Sequence, residues 1–238
     1  MGENWKGKRL FTQKELDDFR KGFSELAIEA IEAGDLERAK ELLRTEHETH
    51  NLNHDLFIRE IAHLYSIIYE EFGEDYCMHV IKKVSGFSAS PYLVELRRND
   101  LKGWMKWRTD MDRQHSPHPD TIVEEDDEKI TLKVKCGSGG MLVDEGFYDG
   151  PDSFNRFKKP TADTWGETDM PLYCGHCHWV HEVLPMRSGG QGNQFWVHET
   201  PFPKKAGDRC VHVVYKDPKD IPSIYYERLG MKKEATKK

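Results

Sequence analysis

Tyr173-Cys174-Gly175-His176-Cys177-His178 is the stretch on which the reading of this chain turns. Two cysteines separated by two residues can set both sulfurs on one ion. A lone cysteine stands well before them, Cys136, and another well after, Cys210. Cys136 opens a turn containing Gly137, Gly139 and Gly140, whose freedom of dihedral angle lets backbone N–H groups turn toward sulfur. Cys136 ends one strand-like run and Cys210 begins another, so adjacent strands would carry both single cysteines to one edge. The expectation is a closed, structural Zn2+ site held by Cys136, Cys174, Cys177 and Cys210. A ribbon-type zinc site usually draws two ligands from each of two turns, and here only one Cys-x-x-Cys is present. Two alternatives therefore stand beside the all-thiolate site. In one, His178 or His181 replaces a distant cysteine; in the other, the cysteines are ordinary buried thiols.

Four thiolates leave no open coordination position, so such an ion would hold loops together and do no chemistry of its own. The fifth cysteine, Cys77, sits in a helical pattern away from the others and reads as a buried thiol. In a reducing compartment disulfides are rare, which favours metal for the remaining four.

Around this centre the chain changes texture. Thr12-Gln13-Lys14-Glu15 has capping-box spacing, and Leu16, Phe19, Phe23, Leu26, Ala27, Ala30 and Ile31 follow at helical intervals up to Gly34. Asp35 is an N-cap for a helical segment reaching Gly73, with Asn51-Leu52-Asn53 as the one place for a break. A short helix from Glu74 carries Val80 and Ile81 inward, and Ser90-Pro91 starts another through Trp104 and Trp107. Two prolines in 115–120 end the helical pattern. Thr121 to Glu124 and Ile130 to Val134 then read as strands around an acidic turn, with later strands at Phe195 to His198 and Val211 to Tyr215. The Gly-, Asp- and Pro-rich stretch between Cys136 and Leu172 is too long to stay structureless unless something ties it down. Ser188-Gly189-Gly190-Gln191-Gly192 reads as a hairpin loop rather than a phosphate loop. A short helix beginning at Asp220-Ile221-Pro222 stops at Gly230. The class is α+β: a helical domain over 1–114, a linker over 115–120, a zinc-binding antiparallel β domain over 121–230 and a disordered tail over 231–238.

A second cluster is Glu46-His47-Glu48-Thr49-His50-Asn51-Leu52-Asn53-His54-Asp55. At about 100° per residue, His47, His50 and His54 fall on one helix face with Leu43, Phe57, Ile58, Ile61 and Tyr65. Imidazoles facing a core need partners, so the stripe predicts a catalytic acid–base pocket or a second metal. A helix break near Asn51 would instead leave them at an exposed bend. His63 and His79 are weaker candidates, His63 being on the opposite side of the helix.

Hydrophobic residues at 37% and charged residues at 32% allow a core beneath a strongly polar surface. A net charge of -7 argues against a nucleic-acid partner. No apolar run approaches the ~20 residues that a spanning helix needs, and Met1-Gly-Glu-Asn-Trp-Lys lacks the apolar segment of a secretory signal. The expectation is a cytoplasmic chain with no membrane partner, its oligomeric state left open.

His54-Asp55, Tyr65, Gly73-Glu74 and Gly207-Asp208-Arg209-Cys210 before a strand resemble bacterial amino-thiazoline-carboxylate hydrolase-like proteins, which join a helical N-terminal half to a cysteine-containing β region. The resemblance implies a small-molecule hydrolase. With it, the leading expectation is a zinc-braced, metal- or histidine-dependent enzyme of hydrolase or lyase type. It would act on a small molecule between the helical and zinc-binding halves, at His47, His50 and His54. The alternative is a non-enzymatic sensor or interaction module, with Trp179 and Trp196 presented to a partner or apolar ligand.

Overall fold

In the computed structural model, residues 10–88, 101–113, 121–189 and 196–233 are described. The elements are α1 (Gln13–Asp18), α2 (Phe23–Glu32), α3 (Leu36–Phe72), α4 (Glu74–Ser88), α5 (Leu101–Arg113), β1 (Ile122–Glu125), β2 (Lys129–Val134), α6 (Gly139–Asp144), β3 (Arg156–Phe157), β4 (Met170–Pro171), α7 (Cys174–Cys177), a π-helical segment (His178–Val183), α8 (Leu184–Gly189), β5 (Trp196–Thr200), β6 (Cys210–Tyr215) and α9 (Ile224–Glu227). The class is mixed helix with a small antiparallel sheet, α+β as expected. No helix among the described residues is long and apolar enough to cross a membrane.

Two compact units divide the chain, 1–53 and 54–238. In the first, the Thr12 hydroxyl and Glu15 carboxylate form the expected capping box: Glu15 Oε2 accepts from the Thr12 backbone N–H at 2.7 Å. The single helix expected from Thr12 to Gly34 is two, because Gly22 adopts extended backbone and caps α2. Ala27, Ala30, Ala39 and Leu42 make a small core of their own.

In the second unit, helices that precede the expected linker at 115–120 and strands that follow it share a core. Ile58 and Tyr65 of α3, Ile81 of α4 and Trp104 of α5 share one core with Leu132, Trp196 and Val213 of the sheet. The β region has too few apolar residues to bury alone, and the helices supply the missing face. Strand order is β1-β2-β6-β5, every pair antiparallel. The expected linker lies outside the described residues, as does Ser90-Pro91. Of the glycine-rich loop, Ser188 and Gly189 close α8 and the rest lies outside. The tail expected to be disordered begins ordered: Met231 packs on the core, and the Lys233 ammonium donates to the Ile221 carbonyl at 2.7 Å.

The stretch between Cys136 and Leu172 is tied down by the helices rather than by sulfur alone. Glu74 Oε1 accepts from the Lys158 and Lys159 N–H groups at 2.9 and 2.8 Å, and Ser66 Oγ accepts from Asn155 N–H at 2.9 Å. Gly73, at φ +82, lets the chain turn from α3 into α4 so that Glu74 can reach this loop.

Candidate metal centre and the polar core beside it

Three separate segments deliver the thiols. Val134 pairs with Cys210 across β2 and β6, so Cys136, two residues beyond, emerges at the edge where β6 begins. Cys174 and Cys177 share the single turn of α7, close after β4. The Ser138 backbone N–H donates to Cys136 Sγ at 3.4 Å. All four are free thiols, and so is Cys77.

Gly139 and Gly140 sit where nothing larger fits. A β-carbon on Gly139 would stand 2.9 Å from Cys174 Sγ, and one on Gly140 would stand 2.9 Å from Cys136 Cβ. Neither glycine has a positive φ. The glycines are required for close approach of backbone to sulfur, not for the dihedral freedom that the sequence suggested.

Burial pushes the Cys174, Cys177 and Cys210 thiols well above their ordinary range, and neighbouring thiols push them further. Cys177, Cys210 and Cys136 act on Cys174; Cys136 acts on Cys177; Cys136 and Cys177 act on Cys210. The four sulfurs therefore share one neighbourhood. Among the described residues, however, no group of three or more His, Cys, Asp or Glu side chains stands arranged to hold an ion, so the thiols are gathered without pointing at a common centre. Cys77 is apart from this: burial raises its thiol to about 12, and its sulfur donates to the Tyr65 carbonyl at 3.4 Å.

The helix that carries the cysteine pair widens into a π turn from His178 to Val183. Pro185 lies just beyond, and a proline lacks the N–H that would bond back along an α-helix and clashes with the carbonyl four residues earlier. His178 Nε2 donates to the Ala162 carbonyl at 2.8 Å and its ring meets Trp165 edge-on, centroids 4.6 Å apart. His181 stacks on Trp196 at 4.7 Å. Burial pulls the His178 pKa down to about 4.

Glu182, fully buried, is the hub of a polar core. Its Oε2 accepts from Trp165 Nε1 at 2.6 Å and from His198 Nδ1 at 2.7 Å, and its Oε1 accepts from Arg228 Nη2 at 2.6 Å. Burial alone would raise this carboxyl, but the His198 hydrogen bond and the Arg228 charge outweigh it and hold the group below its usual range. His198 is held neutral by burial. With its proton on Nδ1, its Nε2 accepts from Trp196 Nε1 at 3.3 Å. Across the strand pair stands His212, whose Nδ1 lies 3.3 Å from Arg108 Nη2; the Arg108 guanidinium lies 4.1 Å over the Trp196 ring. Trp165 adopts a left-handed backbone at φ 54, a strained conformation for a bulky residue that its bond to Glu182 helps to hold.

The histidine stripe is arranged otherwise. α3 runs unbroken through Asn51, so there is no bend. His47 and His50 are exposed in the first unit, where His47 Nε2 accepts from Asn51 Nδ2 at 3.2 Å. His54 belongs to the second unit, half-buried, its Nδ1 3.0 Å from Asp55 Oδ1. The expectation that the stripe faces the core is corrected: Leu43, Phe57 and Ile61 are exposed as well. In the second unit Ile58, Ala62 and Tyr65 set the inward line, and Phe57 and Ile61, each one residue before it, lie about 100° away. His63, also exposed, stacks on Phe154 at 5.7 Å. Trp196, expected to face a partner, is buried; Trp179 is half-buried under the Lys82 and Arg187 cations.

A cleft of about 510 Å³ opens beside β3 and β4, lined by Tyr148, Arg156, Lys158, Thr168, Asp169, Phe202 and Lys204. Sequence reasoning missed this cleft and the Glu182 hub. The one signal for the hub was Trp196-Val197-His198, whose alternate residues share a strand face, opposite a second histidine-bearing strand. Comparison with family models, curated proteins and solved structures finds no match.

Proposed function

We propose that this is a zinc-binding protein in which Cys136, Cys174, Cys177 and Cys210 hold one structural ion, and that the braced region binds a small molecule. The observation that carries the zinc reading is the packing of Gly139 against Cys174 Sγ, where a β-carbon would stand 2.9 Å away, in a neighbourhood of four thiols from three distant segments. Such thiols resist ionisation together, and a divalent cation removes that resistance. Binding asks the side chains to turn onto one centre; the backbone already brings them near. Four thiolates close the coordination sphere, so the ion acts as a brace. In the mixed alternative His178 would bind through Nδ1, which is buried without a hydrogen-bond partner among the described residues while its Nε2 bonds the Ala162 carbonyl. Metal analysis of the purified chain tests the reading: one zinc per chain is expected, and a metal-free chain with an unchanged melting profile on zinc addition overturns it.

A hydrolase- or lyase-type enzyme is the second reading, favoured by the carboxylate-oriented imidazole of His198 in the core shared by helices and sheet. It is placed second because the His198 ring nitrogens are both engaged and the cleft lies at Arg156 and Lys158 instead. In its metal-dependent form, with a second ion at His47, His50 and His54, it requires more than one metal per chain.

A further inference from the structure

We infer that the cleft beside β3 and β4 binds a phosphate-bearing small molecule. This rests on the small-molecule reading above and is independent of the zinc. The chain carries a net charge of -7, yet among the residues lining one cavity of about 510 Å³ the cations Arg156, Lys158 and Lys204 outnumber the one carboxylate, Asp169. That volume lies in the range of metabolite sites and far exceeds what a lone anion fills.

Each cation is held in a way that leaves it able to engage a ligand. The Arg156 guanidinium lies 4.8 Å over the Tyr148 ring and donates through Nη1 to the Asp169 carbonyl at 3.1 Å. Among the described hydrogen bonds that uses one of the five N–H donors a guanidinium offers. Lys158 pairs with Asp169 at 2.6 Å and Lys204 with Glu167 at 3.0 Å, with more than half of each lysine side chain in solvent. Exposed pairs of this kind are weak, so an arriving anion displaces them at little cost. Thr168 adds a hydroxyl, and the buried rings of Tyr148 and Phe202 form a fixed apolar floor.

The number of cations selects the group. A carboxylate is a planar single charge that one guanidinium satisfies with two parallel bonds. A phosphate monoester carries nearly two charges and three strong acceptor oxygens, matching an arginine fork, two lysine point charges and a hydroxyl. The floor suits an apolar or aromatic body behind the phosphate.

Calorimetric titration of the zinc-replete full chain with phenyl phosphate, inorganic phosphate and benzoate tests this. Phenyl phosphate is expected to saturate in the submillimolar range and to bind about tenfold or more tighter than either other probe. The Lys158→Gln/Lys204→Gln double variant, altered only at exposed side chains, should lose about tenfold in affinity with its melting temperature and zinc content unchanged. Arg156→Lys, which keeps the charge but not the fork, should weaken phenyl phosphate as well. Benzoate binding as tightly as phenyl phosphate, no saturable binding of any probe, or an unchanged affinity in the double variant overturns the inference. Zinc measured on the same samples keeps that failure separate from failure of the metal reading.

Discussion

His198 donates its Nδ1 hydrogen to Glu182 Oε2 across 2.7 Å with both side chains sealed from solvent, at 1% and 0% exposure. The pair joins β5 to the cysteine-bearing helix, and Arg228 on the far side of the carboxylate extends the link toward the C-terminus. Glu182→Gln keeps the shape but removes the charge that Arg228 faces. Breaking a buried pair costs about 3–5 kcal/mol, and with the Arg228 side chain 15% exposed the expected cost lies at the lower end, about 3 kcal/mol. The expected outcome in chemical denaturation is a midpoint lowered accordingly; a change under about 1 kcal/mol would mean that water replaces the carboxylate.

Acidification should act on the same pair. Burial holds His198 below its ordinary 6.5, so the unfolded chain protonates first as pH falls. Glu182 is held below its ordinary 4.5, and again the unfolded chain takes the proton first. Both contributions are present at neutral pH. The imidazole's is lost as pH falls from about 6.5 toward its folded value, and the carboxylate's below about 4.5. Arg228 and Arg108 act on His198 and disfavour its protonation against the Glu182 carboxylate, which favours it, and His198 in turn disfavours protonation of His212. Stability measured from pH 8 to pH 4 should decline, less steeply in His198→Gln between pH 6.5 and 5; coincident slopes would exclude His198 as a source.

Cys174→Ser removes one thiolate and should release zinc. Structural zinc contributes on the order of 10 kcal/mol in small domains, so loss of cooperative melting is expected. Cys77→Ala, outside the cluster, should keep full zinc. Chelation should destabilise the chain more than a reductant does; the reverse order would point to disulfides.

Gly139→Ala presses a methyl group against Cys174 Sγ, and relief requires that sulfur to turn aside. Overpacking of this kind costs about 1–3 kcal/mol. The expected readout is a lower melting temperature together with faster zinc loss to a chelator.

Replacing His47, His50 and His54 together by alanine should leave zinc at one per chain. The two exposed sites should each change stability by no more than about 0.5 kcal/mol. A second metal in the parent, lost in this variant, would restore the stripe as a site.

The strands, their acidic turn and the first cap were legible because each rests on local signals: alternation in Ile130, Leu132 and Val134, or Thr12 and Glu15 three residues apart. The meeting of β2 with β6 at Val134 and Cys210 was also anticipated, since each cysteine abuts a strand. The phase of α3 was misread because large residues were weighted over small ones: Ala62 is fully buried while Phe57 is 63% exposed. Glu182 was invisible in sequence because its partners, Trp165, His198 and Arg228, come from three distant segments and carry no spacing. The cleft was hidden for the same reason.

The wide turn from His178 to Val183 gives this helix slack of one residue. Winding the same residues at ordinary pitch would leave Cys174 and Cys177 in place and swing everything after them round by about 100°. Met186, now 4% exposed, would leave the interior. The backbone between the sulfur pair and α8 thus works as a phase adjuster, letting one continuous rod meet two demands that an evenly wound one would set against each other.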